Sequence, residues 1–117
     1  MEHRPSILIV DDERGPAESL RMIFKPNYDV HVASSGPEAL QILRSAPVDV
    51  VTLDLRMPVM SGVEVMERIK QYDPDIEVIV VTGYSSVETA VHALRFGVFD
   101  YVSKPFDVPH ISDLVRR

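Results

Sequence analysis

Short apolar runs alternate along the chain with segments in which apolar residues recur at helical spacing. The runs predict five strands, at residues 6–10, 29–33, 48–53, 77–81 and 101–103. Between them, Ala17, Leu20 and Phe24 mark a first helix. Residues 34–36 open a second helix with Ala39, Leu40 and Leu43 on one face, and the apolar positions of residues 62–72 mark a third. A fourth helix is predicted from residue 87 to Gly97 and a short fifth one at residues 108–117. Gly15 followed by Pro16 predicts a first helix that is shorter by about a turn.

This order is a strand followed by a helix, repeated five times. Such alternation is typical of a parallel sheet with helices on both faces, and right-handed crossovers leave few topologies. We therefore predict an α/β fold, the flavodoxin-like (βα)5 three-layer sandwich with strand order 2-1-3-4-5. Residues 1–117 are expected to form a single domain of a longer protein.

Composition narrows the class of protein. The 117 residues carry a formal net charge of −6, with a sequence pI near 5.1, and contain no cysteine. The acidic balance disfavours direct binding of nucleic acid, and the lack of cysteine excludes disulfides and thiolate chemistry. No apolar run has the length of a membrane span or a signal peptide. We therefore expect a cytoplasmic protein without a membrane or nucleic-acid partner.

Polar residues that carry chemistry gather where the predicted strands end. Asp11 and Asp12 follow strand one, Asp54 follows strand three, Thr82 ends strand four and Lys104 follows strand five. The carboxyl ends of strands beside a switch in strand order are where such sheets bind ligands. Neighbouring carboxylates repel one another, and a hard divalent cation offsets that repulsion. Magnesium fits better than calcium, because it accepts one or two carboxylates and keeps positions for phosphate oxygens.

Asp54 is the best candidate for a nucleophile, because it stands alone at its strand end. A carboxylate beside magnesium and an ammonium group can form an acyl phosphate, and phosphoryl transfer depends mainly on positioning and charge neutralisation. Thr82 and Lys104 are placed to donate hydrogen bonds to phosphoryl oxygens.

The motifs at four strand ends resemble those of receiver domains of two-component response regulators, along nearly the whole chain. The matching residues are Asp11-Asp12-Glu13, Asp54-Leu55-Arg56-Met57-Pro58-Val59-Met60-Ser61-Gly62, Thr82-Gly83, and Tyr101 with Lys104-Pro105. Each piece alone is a weak signal, whereas all four in order make a strong one.

The resemblance implies a phosphoacceptor and a metal site. Asp54 would receive the phosphoryl group from a histidine of a partner kinase or phosphotransfer protein. Asp12, Asp54 and the backbone carbonyl of Arg56 would bind Mg²⁺ directly, and Asp11 would act mainly through water. The domain would assist its own phosphorylation and dephosphorylation without being a turnover enzyme.

The resemblance also implies a switch. Thr82 and Tyr101 would be the switch pair, Lys104 would contact the phosphoryl group, and the bond from Lys104 to Pro105 would be cis. Helix four, strand five and helix five would form the output surface, which controls an output domain or effector and supports homodimers. The residues after Lys104 are similar to those of transcription-activator receivers, which is a weaker signal.

Several alternatives stay open at this point. Asp11, Asp12 and Glu13 would also suit the positive end of a helix, Thr82 could be an ordinary strand residue, and Tyr101 could belong to the core. A magnesium-dependent phosphohydrolase is disfavoured, since such enzymes place two aspartates two positions apart after strand one. A nucleotide-binding module is disfavoured because no glycine-rich phosphate loop follows strand one. A receiver domain that works without phosphorylation is harder to exclude, since all the residues needed for phosphorylation are present.

Two residues beside the presumed acyl phosphate lead to a prediction about its lifetime. Arg56 follows Asp54 by two positions, and Tyr84 follows Thr82 by two. A long cation and a bulky ring there would hinder the attacking water. We therefore expect a long-lived phosphorylated state, unless both side chains point into solvent.

Overall fold

The computed structural model describes residues 4–54, 62–82, 100–103 and 115. Within these ranges the elements are β1 Ser6–Val10, α1 Arg14–Phe24, β2 Asp29–Ala33, α2 Gly36–Ser45, β3 Val50–Leu53, α3 Gly62–Tyr72, β4 Glu77–Thr82 and β5 Asp100–Ser103. The predicted fourth helix lies outside the described residues. Of the predicted fifth helix only Val115, which is helical, is described.

The five strands form one parallel sheet in the order β2-β1-β3-β4-β5, which confirms the predicted topology. The central strand β1 pairs with β2 on one side and with β3 on the other, so that Val10 lies opposite both Ala33 and Leu53. The carboxyl ends of β1, β2 and β3 are therefore level with one another. The switch in strand order falls between β1 and β3.

Helices cover both faces of the sheet, because side chains of a buried parallel strand alternate between two apolar environments. One face packs against α2 and α3 through Leu8, Val10, Ala33, Val51, Leu53, Val78 and Val80. The opposite face packs against α1 and Val115 through Ile7, Ile9, Ile79 and Val81. This is the predicted three-layer arrangement. None of the helices in the described part of the chain is long and apolar enough to cross a membrane.

The start of α1 corrects one prediction. Gly15 and Pro16 do not shorten the helix, which begins at Arg14, directly after the acidic residues. The N–H of Ala17 donates the first hydrogen bond of the helix to the carbonyl of Glu13, at 3.2 Å. Pro16 therefore falls in the first turn, where an N–H would have no helical partner, and its ring costs the helix nothing.

The start of β3 also differs from the prediction, since the strand begins at Val50 and not at residue 48. Asp49 uses its side chain here: its Oδ2 accepts a hydrogen bond of 2.8 Å from the backbone N–H of Ser6. Its backbone also bonds both neighbouring strands, since its N–H donates to the carbonyl of Ser6 at 3.0 Å and its carbonyl accepts from the N–H of Glu77 at 3.1 Å. Two further strand boundaries shift by one residue, because β4 includes Thr82 and β5 begins at Asp100, whereas β1 and β2 have the predicted bounds.

Candidate functional site: an acidic cluster at the carboxyl ends of the strands

Backbone hydrogen bonds hold Asp11 and Asp54 side by side at the edge of the sheet. The N–H of Asp54 donates to the carbonyl of Val10 at 3.0 Å, and the N–H of Asp11 donates to the carbonyl of Ala33 at 3.1 Å. Each bond continues the ladder one residue past the end of the strand. The positions of both aspartates are therefore set by the register of β1 with its two neighbours.

Four carboxylates converge at this edge. One ligand oxygen from each of Asp11, Asp12, Glu13 and Asp54 lies within 4.8 Å of the others. Asp11 and Asp54 are buried, at 4% exposure each, whereas Asp12 and Glu13 are exposed. The backbone N–H of Glu13 donates to Oδ1 of Asp11 at 2.9 Å and thereby orients that carboxylate. The cluster has a buried half on the sheet and an exposed half at the start of α1.

The donor set suits a hard divalent cation. All four groups offer carboxylate oxygen, which magnesium and calcium prefer. Oxygens on opposite sides of such an ion are separated by about twice the metal–oxygen distance, roughly 4 to 5 Å. The ligand oxygens of the cluster all lie within 4.8 Å of one another, so that none is too far from the others to share one ion. Two like charges about 5 Å apart cost on the order of 3 kcal/mol at an effective dielectric constant near 20, which a cation would remove. The cluster can therefore hold a metal ion.

The other predicted site residues are placed only in part. Thr82 is the last residue of β4 and pairs with Ser103, the last residue of β5, and Tyr101 pairs with Val80 inside the sheet. The backbone thus brings the ends of β4 and β5 to the edge that carries Asp54. The side chains of Thr82 and Tyr101 lie outside the described residues, as do Arg56 and Lys104.

Glu13 is the member of the cluster that the sequence did not assign to the site. Its place directly before α1 suggested a helix cap, and it is indeed the N-cap residue, but its side chain makes no capping hydrogen bond. The available signal was its position next to Asp12 at the junction of strand and helix. That position alone does not decide between a cap and a member of the cluster.

Comparison of the sequence with known protein families shows which class of protein combines this fold with this acidic cluster. The sequence profile of the response regulator receiver domain matches residues 7–116. The chain therefore belongs to the receiver domain family of two-component response regulators, as its motifs predicted.

Individual relatives agree with this assignment. The chain is 41% identical over 112 residues to the regulatory protein AtoC of Escherichia coli (strain K12). The matched region is 95% of this chain and 24% of AtoC. It is 36% identical over 112 residues to sporulation initiation phosphotransferase F of Bacillus subtilis (strain 168), with 95% of this chain and 90% of that protein covered. The crystal structure of a CheY-like receiver domain protein from Methanospirillum hungatei JF-1 superposes with a TM-score of 0.94 at 29% identity, over 97% of this chain and 92% of that one.

Proposed function

We propose that Asp54 accepts a phosphoryl group from a histidine of a sensor kinase or phosphotransfer protein. The observation that carries this proposal is the convergence of Asp11, Asp12 and Glu13 on Asp54 at the carboxyl ends of the strands, within 4.8 Å. A carboxylate oxygen of Asp54 would form a bond to phosphorus while the P–N bond of the phosphohistidine breaks. The imidazole nitrogen would keep the electron pair of that bond and take up a proton.

The proposed cofactor is Mg²⁺. Asp12, Asp54 and the backbone carbonyl of Arg56 would hold it, and Asp11 would act mainly through water. When bound, the ion supplies the positive charge that offsets the carboxylates and the phosphoryl oxygens. Burial keeps Asp11 and Asp54 in place, because each is 4% exposed and anchored through its own N–H. The carboxylates themselves thus need little reorganisation.

The remaining assignments extend the proposal to the switch. Thr82 and Lys104 would donate to phosphoryl oxygens, and Thr82 with Tyr101 would form the switch pair. The parallel pairing of β4 with β5 supports this, since it brings the end of each strand to the edge that carries Asp54. The surface of helix four, β5 and helix five would then control an output domain or effector and support a homodimer. Its predicted apolar members, Val98, Phe99, Val108 and Ile111, lie outside the described residues.

Residues 1–117 would act as one cytoplasmic receiver domain and as a signalling module, not as a turnover enzyme. The domain would belong to a longer regulator, as in AtoC, of which the matched region is 24%. The matched region of the Bacillus subtilis phosphotransferase is 90% of that protein. A longer regulator is the arrangement we propose here, and a role in transcription would come from its output domain.

The test is chemical phosphorylation followed by mapping of the modified residue. The protein is incubated with a small acyl phosphate and Mg²⁺, and the product is reduced and mapped by mass spectrometry. Asp54→Asn should abolish the modification. The control is Asp75→Asn, which removes a carboxylate from the exposed loop before β4 and should leave the modification unchanged. Modification at another residue, or full modification of Asp54→Asn, would contradict the proposal. Turnover of a simple phosphate ester would instead favour the phosphohydrolase.

A further inference from the structure

The carboxylate of Glu13 could either cap helix α1 or join the acidic cluster, and it cannot do both at once. As the N-cap residue of α1 it stands at the positive end of the helix, where a carboxylate can accept a hydrogen bond from a free N–H. Its side chain makes no such bond. Instead, one of its carboxylate oxygens lies within 4.8 Å of those of Asp11, Asp12 and Asp54. The side chain is therefore directed to the acidic cluster and not to the helix.

The backbone of Glu13 fixes this arrangement. Its N–H donates to Oδ1 of Asp11 at 2.9 Å, and its carbonyl accepts a bond of 3.2 Å from the N–H of Ala17 in α1. One bond ties it to the buried half of the cluster and the other to the helix. These bonds fix the backbone of Glu13 between the cluster and the helix, so that its side chain starts within reach of the site.

We propose that Glu13 determines how tightly the site holds its divalent cation, and that it does so by charge. The inference rests on the proposed function, since it assumes that the cluster binds Mg²⁺. Asp11, Asp12 and Asp54 carry three negative charges, and one divalent ion offsets two of them. A fourth carboxylate at the exposed side of the cluster strengthens the attraction for the ion, whether it acts directly or through a bound water. Glu13 is thus a positioning residue for the cation.

The size of the effect follows from Coulomb's law. A unit charge about 5 Å from a divalent ion at an exposed position interacts through a dielectric near that of water and is screened by salt over a Debye length of about 8 Å. Removal of the charge then weakens cation binding about fivefold at physiological ionic strength. Reversal of the charge doubles the change in interaction energy, which corresponds to a loss of about 25-fold.

The experiment measures the apparent dissociation constant for Mg²⁺, by calorimetry and by the rise of the unfolding midpoint with Mg²⁺ concentration. Binding to the purified chain is compared with that of Glu13→Gln and Glu13→Lys, for which losses of about fivefold and 25-fold are expected. Glu77→Gln is the matched control. It makes the same change of charge at an exposed residue that begins β4, at the opposite edge of the sheet, and should bind like the unmodified chain.

A change of ionic strength separates charge from shape. If Glu13 acts by charge, the ratio of the two dissociation constants for Glu13→Gln and the unmodified chain falls toward one as ionic strength rises from about 0.05 M to about 0.5 M. A ratio that is large but independent of salt would overturn the inference, and so would equal binding by Glu13→Gln. If the unmodified chain itself binds no Mg²⁺, the result contradicts the proposed metal site, and with it the inference about Glu13. Retained binding in Asp54→Asn with loss in Glu13→Gln would contradict the role of Asp54 as a metal ligand and would support the inference about Glu13.

Discussion

Replacement of Thr52 by valine is expected to stabilise the protein. Thr52 lies in β3, in register with Ile9 of β1 and Ile79 of β4. Side chains at paired positions of parallel strands lie on the same face of a sheet. The side chain of Thr52 therefore lies on the same face as two isoleucines of the apolar cluster beneath α1. Thr52 is 1% exposed, and its Oγ1 has no hydrogen-bond partner in the described structure.

The magnitude follows from the two atoms exchanged. A buried polar group without a partner costs about 1–3 kcal/mol, and a methyl group buried in its place contributes about 0.8 kcal/mol. Valine has nearly the same shape and an equal preference for strands. The two contributions overlap, because both describe the same exchange of one buried atom, and we expect the free energy of unfolding to rise by about 1–2 kcal/mol. For a domain of this size that corresponds to a rise in Tm of roughly 3–10 °C.

Urea unfolding followed by far-UV circular dichroism, in EDTA to keep the metal site out of the comparison, measures this change. Thr52→Ser is the control, since it keeps the hydroxyl and removes a buried methyl group, and it should lose about 1 kcal/mol. Equal or lower stability of Thr52→Val at an unchanged m value would show that the hydroxyl is satisfied in solution. The argument from burial would then be wrong.

Four further outcomes are expected. Gly15→Ala, at an open position in α1, should add up to about 1 kcal/mol of stability, measured by urea unfolding. Asp49→Ala removes the acceptor for the partly buried N–H of Ser6 and should cost about 1 kcal/mol in the same assay, with a smaller loss for Asp49→Asn. Arg56→Ala and Tyr84→Ala should shorten the lifetime of the phosphoprotein, and unchanged decay in both would refute their shielding role. A phosphoryl mimic should increase self-association in sedimentation, and equal sedimentation with and without it would refute that switch.

The sequence was sufficient for the parts of the molecule that follow from periodicity. Runs such as 6–10 and 77–81 contain adjacent apolar residues, and only a strand covered on both faces buries them all. Their spacing to the helices then left few topologies, and the strand order followed. The same reasoning brought Asp11, Asp12 and Asp54 together, because residues that end neighbouring parallel strands meet at one edge.

The sequence was insufficient where a residue has two competing partners. A glutamate before a helix can cap it or turn away, and the choice for Glu13 depends on carboxylates that come from another strand. Asp49 was assigned to β3 because it lies within an apolar run, but its side chain bonds the neighbouring strand. Thr52 is a good strand former by propensity, and nothing local reveals that its buried hydroxyl lies on the face of Ile9 and Ile79. Each of these cases is decided by residues distant in sequence.

The buried and the exposed half of the acidic cluster are held in place differently, and this difference predicts how each half contributes when a cation binds. Asp11 and Asp54 are buried and held by backbone bonds to Ala33 and Val10, so their positions depend on the pairing of β1 with β2 and β3. Repulsion between them acts directly on the central strands of the sheet. The exposed half, Asp12 and Glu13, adds charge at the start of α1, where water and salt screen it. A bound cation should therefore stabilise the fold mainly by removing the repulsion within the buried pair, while the proposed ligand Asp12 and its neighbour Glu13 contribute to how much cation is needed.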